Sequence, residues 1–322
     1  MLFDYIAEYG NIPFEDEPLN HIDLLAFSML CNFDFPPETF GMPLPEALRE
    51  ARVPMVRQRR GKEFVPAHPD RNDLKLAEMM ETSNRYSEVE VRGFESIYED
   101  RVRQFAGVAL GIGDILIPVF RGTDNTFTGW RATLKLSFDE ARPSHGDAAE
   151  FLDRFAETAD GPIIVCGHSK GGNLAMYAAS SCSGTTAGRI AQVVGFDAPG
   201  LPESVRATAG YAYAAPLAVN FVPRSSVVGT VHRAHLQQID PRPETRFIRS
   251  KGLLLQQHYP YEWLTCGDTF VFADQALVGK TLEKGLDVVI KRISDARKAK
   301  IIDSIFDLLD RSGKATFNEL LK

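Results

Sequence analysis

Gly167-His168-Ser169-Lys170-Gly171 constrains this chain more than any other stretch. It follows the apolar run Pro162-Ile163-Ile164-Val165-Cys166. It opens into Gly172-Asn173-Leu174-Ala175-Met176-Tyr177-Ala178-Ala179, a good helix former. Strand, G-x-S-x-G and helix in that order describe a nucleophile elbow, a turn so tight that its serine backbone is strained. Residues two before and two after the serine crowd together there, which accounts for Gly167 and Gly171. Gly172 lets the helix approach the strands closely. The serine hydroxyl is then held above the strand ends with a helix N-terminus behind it. The bland alternative is a glycine-rich turn with an incidental serine. The β-branched strand before it and the helix after it favour the elbow.

The 322 residues are 44% hydrophobic and 25% charged, the make-up of a globular chain long enough to bury a core. A net charge of −7 argues against a nucleic-acid partner, because no general positive field is present to neutralise phosphates. Cys31, Cys166, Cys182 and Cys266 form no C-x-x-C pair, so neither a metal site nor a cofactor is expected. Cys166, in the strand before the elbow, reads as a small buried hydrophobe. The start, Met1-Leu2-Phe3-Asp4-Tyr5, lacks the basic residues and apolar run of a signal peptide. No stretch approaches the ~20 apolar residues of a membrane span, so a cytoplasmic location is the expectation.

Residues 1–82 read as a helical and loop-rich extension, with Asn20 as N-cap of a helix through His21–Leu30. Strand patterns follow at Glu88–Ile97, Phe105–Leu110 and Ile115–Phe120, a meander with Gly111-Ile112-Gly113-Asp114 between the last two. From Ala148 helix and strand alternate. A helix covers Phe151–Thr158, and strands fall at Arg189–Phe196, within Tyr213–Val222 and at Glu244–Ile248. Antiparallel strands first and alternation afterwards predict an α/β sheet with helices on both faces. Two amphipathic helices close the chain from Gly279 onward. The segment Asp310–Glu319 imitates a calcium loop, but its first ligand would be Leu308, which cannot bind the ion. The whole chain, 1–322, is read as one domain: extension 1–82, core 83–278 and C-terminal helical segment 279–322. The two outer segments are the expected walls or lid of any pocket.

A serine needs a base. Where it stands on such an elbow, the acid and then the histidine follow it in the chain. His21, His68 and His145 precede it, and His168 on the turn itself is expected to point away into packing. His258 lies in the loop Leu255-Gln256-Gln257-His258-Tyr259-Pro260 after the last strand, where a base belongs. His232 and His235 are the alternatives, each more simply read as a surface residue. Asp197 ends the strand Val193-Val194-Gly195-Phe196 and points toward the crevice at the sheet's carboxyl end, unless it is an Asx-turn cap. Asp240 and Asp268 are weaker candidates for the acid. The oxyanion donors would be the N–H of Lys170, just after the nucleophile, and Thr123, where an apolar strand breaks at Gly122.

These residues resemble a known family. Phe120-Arg121-Gly122-Thr123, Trp130 and Gly167-His168-Ser169 with Gly171-Gly172 look like the class 3 (fungal-type) lipases. The likeness is closer to a bacterial family of lipase-like α/β-hydrolase proteins of unknown function. The shared pieces are Asp4-Tyr5, Gln104-Phe105-Ala106, Phe120 to Asp124, Gly167 to Ala175, Phe196-Asp197 with Pro199-Gly200, Val222-Pro223 with Ser226 and Val228-Gly229, and Gln257-His258 before Trp263. The resemblance implies an α/β-hydrolase fold and carboxylic-ester hydrolysis, with Ser169 as nucleophile, His258 as base and Thr123 at the oxyanion. It departs from class 3 lipases at Asn220, where those enzymes carry the acid. Gly195-Phe196-Asp197-Ala198-Pro199 is similar to the acid-bearing turn of pancreatic-type lipases, which assigns the acid to Asp197. Lys170 replaces the usual leucine, and its side chain is expected in solvent or facing an anionic substrate group.

The expectation is therefore a serine hydrolase acting on a small-molecule ester or lipid through an acyl-enzyme. Acyl transfer or thioester cleavage at the same site is the nearest alternative. A non-catalytic binding module is the rival from another class.

Overall fold

Successive side chains along a strand point to opposite faces, and the central strands of this chain are apolar on both. The computed structural model describes residues 1–57, 64–66, 70–136, 143–230, 242–252, 254–316 and 319. Ahead of the sheet come helices α1 (Leu2–Tyr9), α2 (His21–Leu30), α3 (Leu44–Glu50) and α4 (Arg71–Glu81), with a short hairpin of β1 (Met55–Arg57) and β2 (Phe64–Pro66). The main sheet then runs in chain order: β3 (Val89–Glu99), β4 (Arg103–Ile112), β5 (Ile115–Phe120), β6 (Ile163–His168), β7 (Ile190–Phe196), β8 (Ala218–Pro223) and β9 (Glu244–Ile248). The first two pairings are antiparallel and the next four parallel. This is an α/β-hydrolase fold, a mostly parallel sheet with helices on both faces.

Gly113, at φ +52°, supplies the left-handed residue that a two-residue hairpin between β4 and β5 requires. Both strands of the β3–β4 pair outrun their apolar patterns, because pairing continues through polar residues such as Arg103 and Glu99. Helices α5 (Phe127–Leu136) and α6 (Pro143–Ala156) link β5 to β6, and α7 (Lys170–Ser181) follows β6. The start of α6 at Pro143 precedes the apolar stripe, since proline is compatible with a first helical turn.

Two buried clusters flank the sheet. Ile163, Val165 and Val193 face α6 and α7, where Phe151, Leu174 and Ala178 meet them. Cys166, Val194, Phe196 and Phe221 face the opposite way, onto α1 to α4 and onto Trp263 and Phe270. Helices α1 to α4 thus supply a core layer under one face of the sheet. Asn20 caps α2 by accepting from the N–H groups of Ile22 (2.9 Å) and Asp23 (3.3 Å). Asp23 pairs with Arg85 at 2.7 Å, both side chains fully buried, and accepts from the hydroxyls of Tyr5 and Tyr86. So many partners offset the desolvation of the two charges.

The hairpin β10 (Thr265–Cys266) and β11 (Thr269–Phe270) precedes the two C-terminal helices, Leu277–Arg292 and Asp295–Asp310. The second packs on α5, with Arg131 reaching Asp307 and Asp310 and Lys135 reaching Asp303. Glu319 accepts from the N–H groups of Ala315 and Thr316, and no metal-binding cluster exists among the described residues. No described helix is long and apolar enough to cross a membrane.

Candidate active site

The turn between β6 and α7 has the strain its glycines foretell. Ser169 adopts φ +56°, a conformation that side-chain-bearing residues rarely take. A Cβ on Gly167 would lie 2.4 Å from the Gly171 carbonyl carbon, and one on Gly171 would lie 2.0 Å from the Phe120 oxygen of β5. A Cβ on Gly172 would meet that of Ala198 at 2.6 Å, so α7 lies directly against the turn that follows β7. Any side chain at these three places would push the helix away from the sheet.

Asp197 is the first residue past β7, also with positive φ, at +51°. Its carboxylate is fully buried and carries three donors. His258 Nδ1 donates to Oδ2 at 2.7 Å, Ser226 Oγ to Oδ2 at 2.6 Å, and the Gly229 N–H to Oδ1 at 3.0 Å. Three donors offset the burial of one negative charge. Asn220 clamps the same turn: its Oδ1 accepts from Ala198 N–H at 3.1 Å and its Nδ2 donates to the Ala198 carbonyl at 2.9 Å. The position where class 3 lipases hold their acid here holds the backbone that presents Asp197.

His258 ends a short 3-10 turn, Leu254–His258. Its Nε2 lies 2.9 Å from Ser169 Oγ. With Nδ1–H given to Asp197, Nε2 is the free acceptor and the serine hydroxyl donates to it. Neighbours lock the loop. Gln257 accepts from Ser225 N–H at 2.9 Å and donates to the carbonyls of Ser250 and Gly252. Trp263 Nε1 donates to the Gln257 carbonyl at 2.8 Å.

His168 differs from expectation. Its ring does pack, but on the site itself, 4.6 Å from the His258 ring and 6.2 Å from Trp263. Its Nε2–H donates to the His258 carbonyl at 2.9 Å. The strand that ends at the elbow therefore holds the imidazole loop as well as the serine.

Lys170 overturns the expectation of a solvated side chain. It is fully buried, because the tight turn aims the first residue of α7 back over the sheet toward β4. Its ammonium donates to the Gln104 carbonyl at 2.7 Å and to Gln104 Oε1. Burial lowers its pKa to about 8, with Asp124 opposing the shift and Arg121 adding to it. A side chain so placed meets no substrate group.

The Thr123 loop runs against the elbow. A Cβ on Gly122 would come within 3.1 Å of the His168 carbonyl and 3.7 Å of Ser169 Cβ. The Thr123 hydroxyl shares a 2.6 Å bond with Thr133 of α5, whose own proton goes to the Gly129 carbonyl. Arg121 fastens the loop below by donating to the carbonyls of Cys31 and Phe33.

Ser169, His258 and Asp197 are thus brought together, with Thr123 beside them and the Lys170 backbone at the head of α7. Asp268 lies exposed in the β10–β11 turn. His232, His235, Asp240 and His68 lie outside the described residues. Sequence reading misses Ser226, Gly229, Gln257 and His168 as partners. Ser226 and Gly229 stand in the Val222–Gly229 motif, but their bonds to Asp197 span 29 and 32 residues and leave no local pattern.

No curated protein matches the chain. Among solved structures it is similar to the Rhizomucor miehei lipase propeptide complex, at 16% identity and TM-score 0.37, covering 53% of this chain and 58% of that one. It is similar to extracellular lipase LipA from Serratia marcescens at 17% identity and TM-score 0.37, covering 64% of this chain and 39% of that one. M37 lipase shares 14% identity at TM-score 0.37, with 84% and 80% covered. The chain therefore spans less than two thirds of the first two proteins. Residues 80–307, well over half of the sequence and including every residue of the site, match the Mbeg1-like family, and the chain belongs to that family.

Proposed function

We propose that the protein is a serine hydrolase of carboxylic esters that works through an acyl-enzyme. Ser169 Oγ attacks the ester carbonyl while His258 Nε2 takes its proton. His258 then gives that proton to the leaving alkoxide. A water, deprotonated by the same imidazole, releases the acid and restores the serine. Asp197 holds the imidazole in the productive tautomer and stabilises the imidazolium. The Lys170 backbone N–H together with Thr123 receives the developing oxyanion, assisted by the N-terminus of α7. The chemistry uses side chains, backbone and water. The substrate is a small-molecule ester or a lipid.

The observation that carries this reading is the unbroken chain Ser169 Oγ to His258 Nε2 at 2.9 Å and His258 Nδ1 to Asp197 Oδ2 at 2.7 Å. Hydrogen-bond reach between nucleophile and base is what a binding module has no need of. The test is reaction with a fluorophosphonate probe and turnover of p-nitrophenyl esters, with Ser169→Ala as control. Labelling at Ser169 and loss of both signals in a folded Ser169→Ala protein are expected. A folded wild-type protein inert to probe and esters would overturn the reading. Product analysis with added alcohols, amines or thioesters separates hydrolysis from acyl transfer and thioester cleavage.

A further inference from the structure

The helix α4 begins with a capping box that has more to do than cap. Asp70 Oδ1 accepts from the N–H groups of Asn72 (2.7 Å) and Asp73 (3.0 Å), and Asp73 Oδ2 accepts from the Asp70 N–H at 3.0 Å. That reciprocal pair satisfies the first turn of the helix. Each carboxylate has an oxygen left over, and both are aimed at one short segment. Tyr259 donates its hydroxyl to Asp70 Oδ2, and Tyr261 donates to Asp73 Oδ1 at 2.5 Å. Asn72 Nδ2 donates to the Tyr259 oxygen at 2.8 Å. The two tyrosines bracket Pro260 and follow His258 immediately.

The rest of the segment is gripped in the same way. The Tyr261 ring stacks on Phe3 of α1 at 5.1 Å and 18°, and Asn32 braces Asp73 Oδ2 at 3.1 Å. Beyond it, the Met1 amino group donates to Thr265 Oγ1 at 2.9 Å. Tyr261 and Asp73 are both buried. A buried phenol and a buried carboxylate are costly unless joined to each other, so the connection is specific rather than adventitious.

We propose that this capping box is a clasp that positions His258: Asp70 and Asp73 hold Tyr259 and Tyr261, and the N-terminal layer thereby sets where the imidazole stands over Ser169. The four residues are positioning residues that touch no substrate, and the inference rests on the hydrolase reading for its catalytic consequence alone. A displacement of about 1 Å at a reacting group costs up to about 100-fold in rate. Two phenol bonds within three residues of the imidazole have the leverage to prevent it.

The test uses Tyr261→Phe and Tyr259→Phe in the full-length protein, with Tyr86→Phe as control. Tyr86 is equally buried in the N-terminal layer and donates to Asp23 at 3.0 Å, remote from the clasp. Two readouts are taken. One is the low-field proton resonance of the His258–Asp197 bond, which reports imidazole placement whether or not the protein is an enzyme. The other is the rate of fluorophosphonate labelling together with kcat and KM. The clasp variants are expected to broaden or lose the resonance, and to lower labelling and kcat about 10-fold or more with KM unchanged. Tyr86→Phe is expected to lower Tm with resonance and rates unchanged. If Tyr261→Phe does not fold, Tyr259→Phe, whose side chain is half-buried, decides. An unaltered resonance and wild-type rates in a folded clasp variant would overturn the proposal. Wild-type protein that shows the resonance yet resists labelling would instead count against the hydrolase reading.

Discussion

Replacing Lys170 by methionine isolates the most unusual charge in the molecule. The ammonium is fully buried, and burial brings its pKa from 10.5 to about 8. A difference of that size corresponds to about 3 kcal/mol between the two protonation states of the native protein. The unfolded chain keeps the proton up to its ordinary pKa, while the native state releases it near pH 8. Between these limits the unfolded state binds more protons, so native stability rises with pH, by up to about 3 kcal/mol. Lys170→Met lacks this rise. At pH 7 it relieves the cost of the buried charge, but it also strips a donor from two buried acceptors of Gln104. Each loss costs about 1–3 kcal/mol, so the effects offset and the variant should lie within about 2 kcal/mol of wild type at neutral pH. Urea denaturation of both proteins from pH 7 to 10.5 measures the difference and cancels the titration of groups that do not sense Lys170. Wild type is expected to gain about 2–3 kcal/mol on the variant between pH 8 and 10.5. A difference that stays flat across that range would refute the reasoning, because the ammonium would then titrate as if it were in water.

Other substitutions probe the remaining parts of the site and its support. Asp197→Asn keeps the shape but removes the charge that fixes the imidazole tautomer, so kcat should fall about 10³- to 10⁴-fold, and unchanged ester turnover would remove Asp197 from the reaction. Gly229→Ala puts a Cβ 2.3 Å from Asp197 Oδ1 and 2.9 Å from a Val222 methyl. It should destabilise by about 1–3 kcal/mol in urea titration, and a neutral result would mean that the acid's turn has spare room. Arg85→Met leaves Asp23 buried with the Tyr5 and Tyr86 hydroxyls and the Asn20 N–H but no cation, which should cost about 3–5 kcal/mol while leaving the turnover of folded molecules intact. A small loss in thermal or chemical denaturation would contradict the importance of that pair.

The elbow is legible in the sequence because its requirements are local. Three glycines within six residues, between a β-branched strand and a helix former, suit a tight strand-to-helix turn and little else. His258 needs chain order and a family likeness, since nothing in its own loop distinguishes a base from a surface histidine. Lys170 is misjudged when read by what its residue type usually does, and His168 when its place on the turn is taken to aim it away from the site. Lysine is usually solvated, but a tight turn decides direction before solvation does, and it turns this one inward. The N-terminal layer carries helix signals such as the Asn20 cap. Its hold on the site runs through Asp70 to Tyr259 and Asp73 to Tyr261, bonds that span 189 and 188 residues, for which no periodicity exists.

Ser169 and Asp197 each stand one residue beyond a strand end, and β6 and β7 are paired so that His168 lies opposite Phe196. The Ser169 N–H still bonds to the Phe196 carbonyl at 2.8 Å, and the Asp197 N–H to the Phe221 carbonyl at 2.8 Å. The sheet thereby acts as a ruler. A slip of one residue in the β6–β7 pairing would move the carboxylate about 3.3 Å along the strand and turn it to the other face. Such a misfolded molecule would keep its helices and, because β7 is apolar on both faces, a buried central strand, yet have no serine–histidine–aspartate chain. The site is therefore a proofreader of its own scaffold. A single-residue deletion within β7 should yield protein that looks folded and is silent to a serine-directed probe, and probe reactivity counts the molecules whose strands found the right partners.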